Sequence, residues 1–166
     1  MTESMAPVFP FRFEVTFRED ALPPGDGGGG TPDLCRGSFS ECSGLEATME
    51  AKEINEGGRN YGVAQRAGRV TFAPVVFRRG VTTNTDLWQW FSLVARGGYA
   101  YRLTATITLW GPGPDRAIIR QIRLRHCIPT KLKAPDLNAS SGEVAIEELH
   151  VAHEGLEIGV GESGGQ

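Results

Sequence analysis

The chain has 166 residues and a formal net charge of −3, and its length suits one domain with a substantial core. The small net charge excludes the strongly basic surface of a duplex-DNA-binding protein, and no apolar run approaches the roughly 18 to 20 residues that span a bilayer. The 22 glycines and 10 prolines favour many short strands and turns over long helices.

The first residues lack the basic-then-apolar pattern of a secretory signal, so we expect synthesis in the cytoplasm. The three cysteines Cys35, Cys42 and Cys127 are too few and too widely spaced for a disulfide framework or a zinc site. We interpret them as small apolar residues and expect no cofactor.

The amino-terminal third predicts two amphipathic strands. Apolar residues alternate with polar ones from Phe9 to Phe17, behind a flexible tail at residues 1–7. A glycine-rich loop follows at residues 22–33. From Leu45 to Ile54 the alternation returns. Its apolar side is Leu45, Ala47, Met49 and Ala51, and its polar side is Glu46, Thr48, Glu50 and Lys52.

The middle of the chain predicts a loop, a strand and a helix. Residues from Glu56 to Arg69 are expected to form the loop, and Val70 to Arg79 a strand that is apolar on both faces and interrupted by Pro74. The helix runs from Asp86 to Arg96, with its N-cap at one of residues 84–86. Gly97 and Gly98 end it. Its apolar stripe is Leu87, Trp90, Phe91 and Val94.

The last third predicts a hairpin and a final strand. The hairpin joins Tyr101–Trp110 to Ala117–Ile128, and Arg123 and Arg125 lie on its polar face. A loop over residues 129–143 leads to the strand Val144–His153, whose alternation slips at residues 147–148 in the manner of a β-bulge. Residues 159–166 form a frayed tail.

Together these segments predict one domain over residues 1–166. It is mainly β, an antiparallel β-sandwich or open barrel of about six strands with one packed α-helix. The histidines His126, His150 and His153 and the adjacent Glu147 and Glu148 have no catalytic or metal-binding spacing, so we expect no enzyme.

Seven segments occur in the order typical of a known family. They are Phe39–Leu45, Glu56–Asn60, Phe77–Gly80, Leu87–Trp90, Pro129–Lys131, Pro135–Ala139 and Val144–Leu156. This ordered set, which covers most of the chain, resembles the T4-like tail tube proteins of contractile phages. It also resembles the inner-tube proteins of R-type pyocins and extracellular contractile injection systems.

The resemblance implies hexameric rings that stack into a tube inside a contractile sheath, with strands of six subunits joined into a β-barrel around the channel. The implied partners are further copies of the chain, a sheath protein, baseplate or spike proteins and a tube cap. Cargo would pass through the lumen, without stable nucleic-acid binding and without membrane insertion of the monomer. The tube would end up in a phage tail or a tail-like particle.

The resemblance also suggests which residues serve assembly. The polar side of the second strand, Glu46 to Lys52, is a candidate lumen surface or else a solvated strand face. Two segments, Glu56–Arg69 and Lys131–Gly142, either contact neighbouring copies or simply connect elements. The candidate contact residues are Glu56, Arg59, Asn60, Arg66, Lys131, Lys133, Asp136 and Asn138.

Three alternatives stay open. The glycine-rich insertion is longer than the family pattern, so the chain belongs either to the shaft or to a tube-initiating ring at the baseplate. A monomeric binding module would use Arg123 and Arg125 for an acidic ligand, and a hydrolase would use scattered residues around His126 or His150.

Overall fold

The computed structural model describes residues 12–20, 39–58, 60–98, 101–111, 117–140 and 142–159. The predicted amino-terminal tail, Phe9 and Phe11, the glycine-rich loop, Cys35, Arg59 and residues 160–166 lie outside these ranges. The described residues form nine strands and one helix. In chain order they are β1 (Phe13–Glu19), β2 (Glu41–Ser43), β3 (Ala47–Ile54), β4 (Ala64–Phe72), β5 (Val75–Gly80), α1 (Asp86–Ala95), β6 (Leu103–Trp110), β7 (Ile118–Lys133), β8 (Ile146–Ala152) and β9 (Gly155–Gly159).

Seven of the strands form one antiparallel sheet around the long strand β7. The strand order is β1-β6-β7-β8-β5-β2, and β9 pairs with the first part of β7 on the side away from β6. We call β1, β6, β9 and the first part of β7 the front half, and β2, β5, β8 and the last part of β7 the back half. The remaining strands β3 and β4 pair with each other and with no other described strand, and we call them the hairpin.

The strand β7 joins the two halves because it is bent by irregularities in its register. Shifts occur opposite Leu103/Ala105 and opposite Leu109/Trp110 in the β6 ladder, and again between Pro129 and Lys131 in the β8 ladder. His126 lies at the first shift with a φ of 52°, a left-handed conformation that is uncommon outside glycine. Such bulges bend a strand, so β7 can serve both halves of an open barrel.

The core lies between the two halves and is rich in aromatic side chains. Phe17 of β1 packs against Phe77 of β5 at a ring-centroid distance of 5.6 Å and against Trp90 of α1 at 5.3 Å. Val15 and Phe17 are buried, as the alternation of the first strand predicts, and Leu103, Ala105 and Ile107 are buried on β6. The predicted mainly antiparallel β fold with one packed helix is confirmed.

The helix follows its predicted stripe in part: Leu87 and Trp90 are buried and Val94 packs against the core, whereas Phe91 is half-buried and stacks on Trp88. Thr85 is the N-cap residue, but its hydroxyl accepts a hydrogen bond from the Gln89 side chain rather than from a backbone amide. The Asn84 amide oxygen instead accepts from the Asp86 backbone N–H at 3.1 Å. Gly97 ends the helix at a φ of 126°, which side chains rarely tolerate.

The prediction for residues 56–79 is wrong in two respects. The expected loop is partly strand, because β4 begins at Ala64, and the expected strand from Val70 to Arg79 is divided at Ala73 and Pro74. The sequence did not predict β4, because a bulge and exposure on both faces remove the alternation of apolar and polar residues. The proline lacks the N–H that a continuous strand would need there.

The prediction for the carboxy-terminal region also needs correction. Strand β7 continues through Pro129 to Lys133, so these residues are not a loop. The β5–β8 ladder runs without a bulge at Glu147 and Glu148, because each carboxylate lies directly opposite an arginine of β5. A further strand, β9, follows His153 and reaches Gly159, which was expected to belong to the frayed tail.

The one helix among the described residues spans ten residues, which is too short to cross a bilayer, and no described helix qualifies as a membrane span.

Candidate assembly surfaces

The hairpin has one polar face and one face that is apolar near the base of the hairpin. Directly opposed residues of an antiparallel pair share a face. The pairs Thr48 with Thr71 and Lys52 with Arg66 therefore lie on one side, and Met49 with Val70 lies on the other. All eight residues of β3 are exposed. The lumen candidates predicted from the sequence, Glu46, Thr48, Glu50 and Lys52, thus lie on or beside the polar face of the hairpin.

The apolar face of the hairpin lies in solvent for most of its length. Met49 is 56% exposed and Val70 is 41% exposed, and Ala51 opposes Ala67 beside them. Its base is covered, because the Phe72 ring lies 5.1 Å from the ring of His153. Apolar side chains held this way on a two-stranded sheet are typical of a surface that a partner covers.

Gly68 makes the irregular register of the hairpin possible. Gly68 and Arg69 together lie opposite Glu50, so β4 carries the extra residue. A Cβ atom on Gly68 would lie 2.2 Å from the backbone oxygen of Glu50. Glycine is required because the two backbones approach this closely.

The outer face of the front half is a second polar surface. One row of directly opposed residues runs across its four strands. It consists of Thr16 of β1, Thr106 of β6, Arg123 of β7 and Glu157 of β9. Arg125 of the same face lies 3.0 Å from Glu157. The threonines and arginines were visible as alternating residues in the sequence, but their assembly into one four-stranded face depends on β9.

The outer face of the back half holds an ionic network centred on Arg78. Arg78 donates hydrogen bonds of 2.9 Å to Glu41 of β2 and to Glu148 of β8. The carboxylate of Glu148 also contacts His150. The pKa of Glu148 is lowered to about 2, mainly by the hydrogen bond from Arg78 and secondly by the hydrogen bond with His150. The network ties the edge strand β2 to the sheet.

A second arginine of β5 lies on the inner side. Arg79 is 2% exposed and lies 2.6 Å from Asp86, and it also pairs with Glu147. Its guanidinium carbon lies 5.8 Å from the Phe39 ring centroid. This cluster fixes the start of α1 against β5 and β8, because a buried charge is tolerated only when it is paired.

The predicted contact residues fall in two separate regions. Glu56 and Asn60 lie at the turn of the hairpin and Arg66 lies in β4, whereas Lys131 and Lys133 lie at the end of β7. Asp136 lies 3.8 Å from Lys133, and Asn138 accepts a hydrogen bond from the Ser140 backbone. The structure therefore places the first group on the hairpin and the second beside a depression next to β5 and β8.

The side chains that could bind a metal do not come together into a site in the described parts of the chain. No cluster of three or more metal-ligating side chains occurs there. Burial raises the pKa of Cys127 to about 12. Burial, together with the nearby negative charge of Glu41, raises the pKa of Cys42 to about 12. Neither thiol therefore supplies a nucleophilic thiolate at neutral pH. The imidazole of His126 lies 3.2 Å from Asp20, and that of His153 contacts the backbone of Gly155 at 3.1 Å.

Several solved structures contain chains with the same fold. A chain of the anti-feeding prophage baseplate, in a six-fold symmetrised structure, matches at 24% identity and a TM-score of 0.70, covering 92% of this chain and 95% of that one. A chain of the sheath–tube complex of the extracellular contractile injection system PVC matches at 19% identity and a TM-score of 0.72, covering 95% and 94%. A chain of the anti-feeding prophage cap matches at 17% identity and a TM-score of 0.73, covering 97% and 100%.

Sequence comparison with curated proteins gives no match. The family model described as T4-like virus tail tube protein gp19 matches residues 9–157, which is nearly the whole chain. The chain therefore belongs to the family of T4-like virus tail tube proteins.

Proposed function

We propose that the chain is a structural subunit of the inner tube of a contractile tail or an extracellular contractile injection system. Copies form hexameric rings that stack into the channel. The observation that carries this proposal is the hairpin, whose two strands pair with no further strand in the described part of the chain and whose residues are largely exposed. A two-stranded sheet is marginal on its own, so it gains stability by joining neighbouring copies.

Six copies per ring agree with the six-fold symmetry of the baseplate structure that contains a similar chain. The sheath–tube complex and the cap, which also contain similar chains, suggest a sheath protein and a terminating cap as further partners. Baseplate or spike proteins would bind at the other end. The tube has no enzymatic role. It is made in the cytoplasm and completes its function in a phage tail or tail-like particle.

Two polar surfaces compete for the lumen. The first is the polar face of the hairpin with Glu46, Thr48, Glu50 and Lys52, and the second is the threonine-rich outer face of the front half. Cysteine variants Thr48→Cys and Thr106→Cys in assembled tubes distinguish them. A bulky maleimide reagent that is too large to enter the channel will spare the residue in the lumen and label the other one.

The remaining contact residues are proposed to act between copies. Glu56, Asn60 and Arg66 of the hairpin would reach a neighbouring subunit, whereas Lys131, Lys133, Asp136 and Asn138 would contact the adjacent ring. Their exposure and their positions in two separate regions suit two different interfaces.

Negative-stain electron microscopy and light scattering of the purified chain test the proposal. We expect six-fold rings or tubes and a mass of at least six subunits. A chain that stays monomeric at high concentration would contradict the proposal and favour a monomeric binding module that uses Arg123. That alternative predicts salt-sensitive ligand binding that is lost in the Arg123→Glu variant. Long tubes from the pure chain indicate the shaft, and single rings that elongate only with a second tube protein indicate the baseplate position.

A further inference from the structure

A trough lies on the outer face of the front half, between the strands β1, β6 and β7. Its volume is about 690 Å³. Strand β6 contributes threonines to its lining, whereas the charged and titratable residues come from β1, the residue after β1, and β7. These residues are Arg18, Glu19, Asp20, Arg123, Arg125 and His126. Three arginines thus face two carboxylates, and the excess of positive charge favours an anion.

A bulge in β7 brings His126 to the same face as its neighbour Arg125. Consecutive residues of a regular strand point to opposite faces of the sheet. Here Arg125 and His126 together lie opposite Thr104, and His126 has a left-handed backbone with a φ of 52°. Both side chains therefore line the trough. Bulges redirect side chains in this way next to functional sites, where unusual backbone conformations are also concentrated.

Two of the arginines in the trough have no carboxylate partner in the described part of the chain. Arg123 lies directly opposite Glu157 of β9, but the carboxylate of Glu157 lies 3.0 Å from Arg125 instead. No ion pair or side-chain hydrogen bond of the described residues engages Arg18, Arg123 or Glu19. The guanidinium groups of Arg18 and Arg123 are therefore available to a ligand.

The carboxylate of Asp20 contacts the imidazole rather than either of these arginines. It accepts a hydrogen bond from the Thr104 hydroxyl, and its Oδ2 atom lies 3.2 Å from Nδ1 of His126. This contact leaves Nε2 as the imidazole nitrogen that can bind a ligand. Protonation of the ring makes Nε2–H a hydrogen-bond donor, as an anion requires.

We propose that the trough binds a tetrahedral oxyanion such as sulfate or phosphate through Arg18, Arg123 and the protonated imidazole of His126. Donors from β1, from β7 and from its bulge suit an anion with four oxygen atoms, and hydrogen bonds between charged groups are stronger than neutral ones. The three residues belong to one copy, so the site goes beyond the proposed tube function and does not depend on it. Because the imidazole donates only when it is protonated, the affinity rises as the pH falls.

Equilibrium dialysis of radiolabelled sulfate against the full chain at low ionic strength tests the site. Sulfate keeps its double charge between about pH 8 and pH 5, the range in which imidazoles ordinarily gain a proton, so a pH dependence reports on the protein. We expect saturable binding of a single sulfate per chain, at least about tenfold tighter at the lower pH because a charge-assisted hydrogen bond is gained. Absence of saturable binding at both pH values would overturn the proposal, and so would acetate binding as tight as that of sulfate.

Substitutions of the three donors locate the bound anion. Arg18→Gln and Arg123→Gln should each weaken sulfate binding at least about tenfold at the lower pH, because each removes a charge-assisted hydrogen bond. His126→Asn retains a residue that tolerates the left-handed backbone, and it should abolish most of the pH dependence while leaving the affinity at the higher pH nearly unchanged. A pH dependence that persists in His126→Asn would contradict the role of the imidazole.

Arg66→Gln is the matched control, because Arg66 is an exposed arginine of the hairpin and its removal changes the net charge equally. A loss of sulfate binding in Arg66→Gln as large as that in Arg123→Gln would reduce the effect to general attraction by net charge and overturn the site. Thermal unfolding of each variant verifies that the fold is intact. Electron micrographs of the same samples report ring formation separately, so a failure of the tube function is distinguished from a failure of anion binding.

Discussion

Arg78 and Arg79 are neighbours in β5, yet their side chains lie on opposite sides of the sheet and bind different carboxylates. Arg78 is half-exposed and binds Glu41 and Glu148 at the outer surface. Arg79 is buried and binds Asp86 and Glu147 on the inner side. The alternation of a strand thus divides two adjacent identical residues between a surface network and a buried cluster.

Removal of the buried guanidinium of Arg79 should strongly destabilise the fold. The substitution Arg79→Met leaves the buried carboxylate of Asp86 without its cationic partner, so we expect the free energy of unfolding to fall by about 3–5 kcal/mol. Urea denaturation followed by circular dichroism measures this loss. Arg78→Met is the matched control and should have a much smaller effect, because its partners stay solvated. Equal losses in the two variants would contradict the distinction.

The outer network makes a separate prediction about pH. Because the pKa of Glu148 is about 2 in the folded chain and 4.5 ordinarily, its ion pair stabilises the fold at neutral pH. That contribution is lost as the pH falls from about 4.5 toward 2. In Arg78→Met the pKa of Glu148 should rise toward its ordinary value, as a carboxyl NMR titration would show. Arg125→Met is the control, and an unchanged low pKa in Arg78→Met would assign the shift to another group.

At the scale of single elements, the helix shows how one segment serves both the core and the surface. Trp90 is 1% exposed and lies against Phe17, whereas Trp88 is 56% exposed and stacks on Phe91 at 6.0 Å. Trp90 faces the core and Trp88 faces the surface because the helix turns through 100° per residue.

The two tryptophans therefore form a matched pair for mutation. Trp90→Ala should lower the free energy of unfolding by about 3–5 kcal/mol because it leaves a large cavity. Trp88→Ala should change it by about 0.5 kcal/mol. Thermal or chemical unfolding distinguishes them, and a loss in Trp88→Ala as large as that in Trp90→Ala would refute this packing of α1.

At the scale of the whole molecule, the hairpin is separate from the core. Among the described residues, every fully buried large side chain belongs to the seven-stranded sheet or to α1, and none belongs to β3 or β4. The chain therefore combines a body that is stable by its own packing with an exposed two-stranded extension. This division suits a subunit that folds first and assembles afterwards.

Shortening the hairpin should consequently abolish assembly without unfolding the body. A variant in which residues 50–69 are replaced by Asn-Gly keeps the Met49–Val70 pair and closes it with a tight turn. We expect a cooperative unfolding transition close to that of the wild-type chain, but no rings in electron micrographs. Rings from this variant would place the essential subunit contacts elsewhere.

Local patterns predicted those elements whose two faces meet different environments. The Phe13–Phe17 alternation and the stripe of Leu87 and Trp90 predicted a strand and a helix correctly, because burial of one side imposes a period on the sequence. Strand β4 gave no such signal, because both of its faces are exposed and Gly68 inserts a bulge. The ordered set of seven motifs was sufficient to predict the family, which the match over residues 9–157 confirms.

The sequence alone determined the β-rich class, the single helix and the family, since these follow from periodicities and motifs that are local in the chain. Only the tertiary structure decided that β9 completes the front half, that Arg79 meets Asp86 and that the hairpin is free of the main sheet. These features depend on pairings between distant segments. The register of such pairings is set by packing and hydrogen bonding across the whole fold rather than by the residues of any one strand.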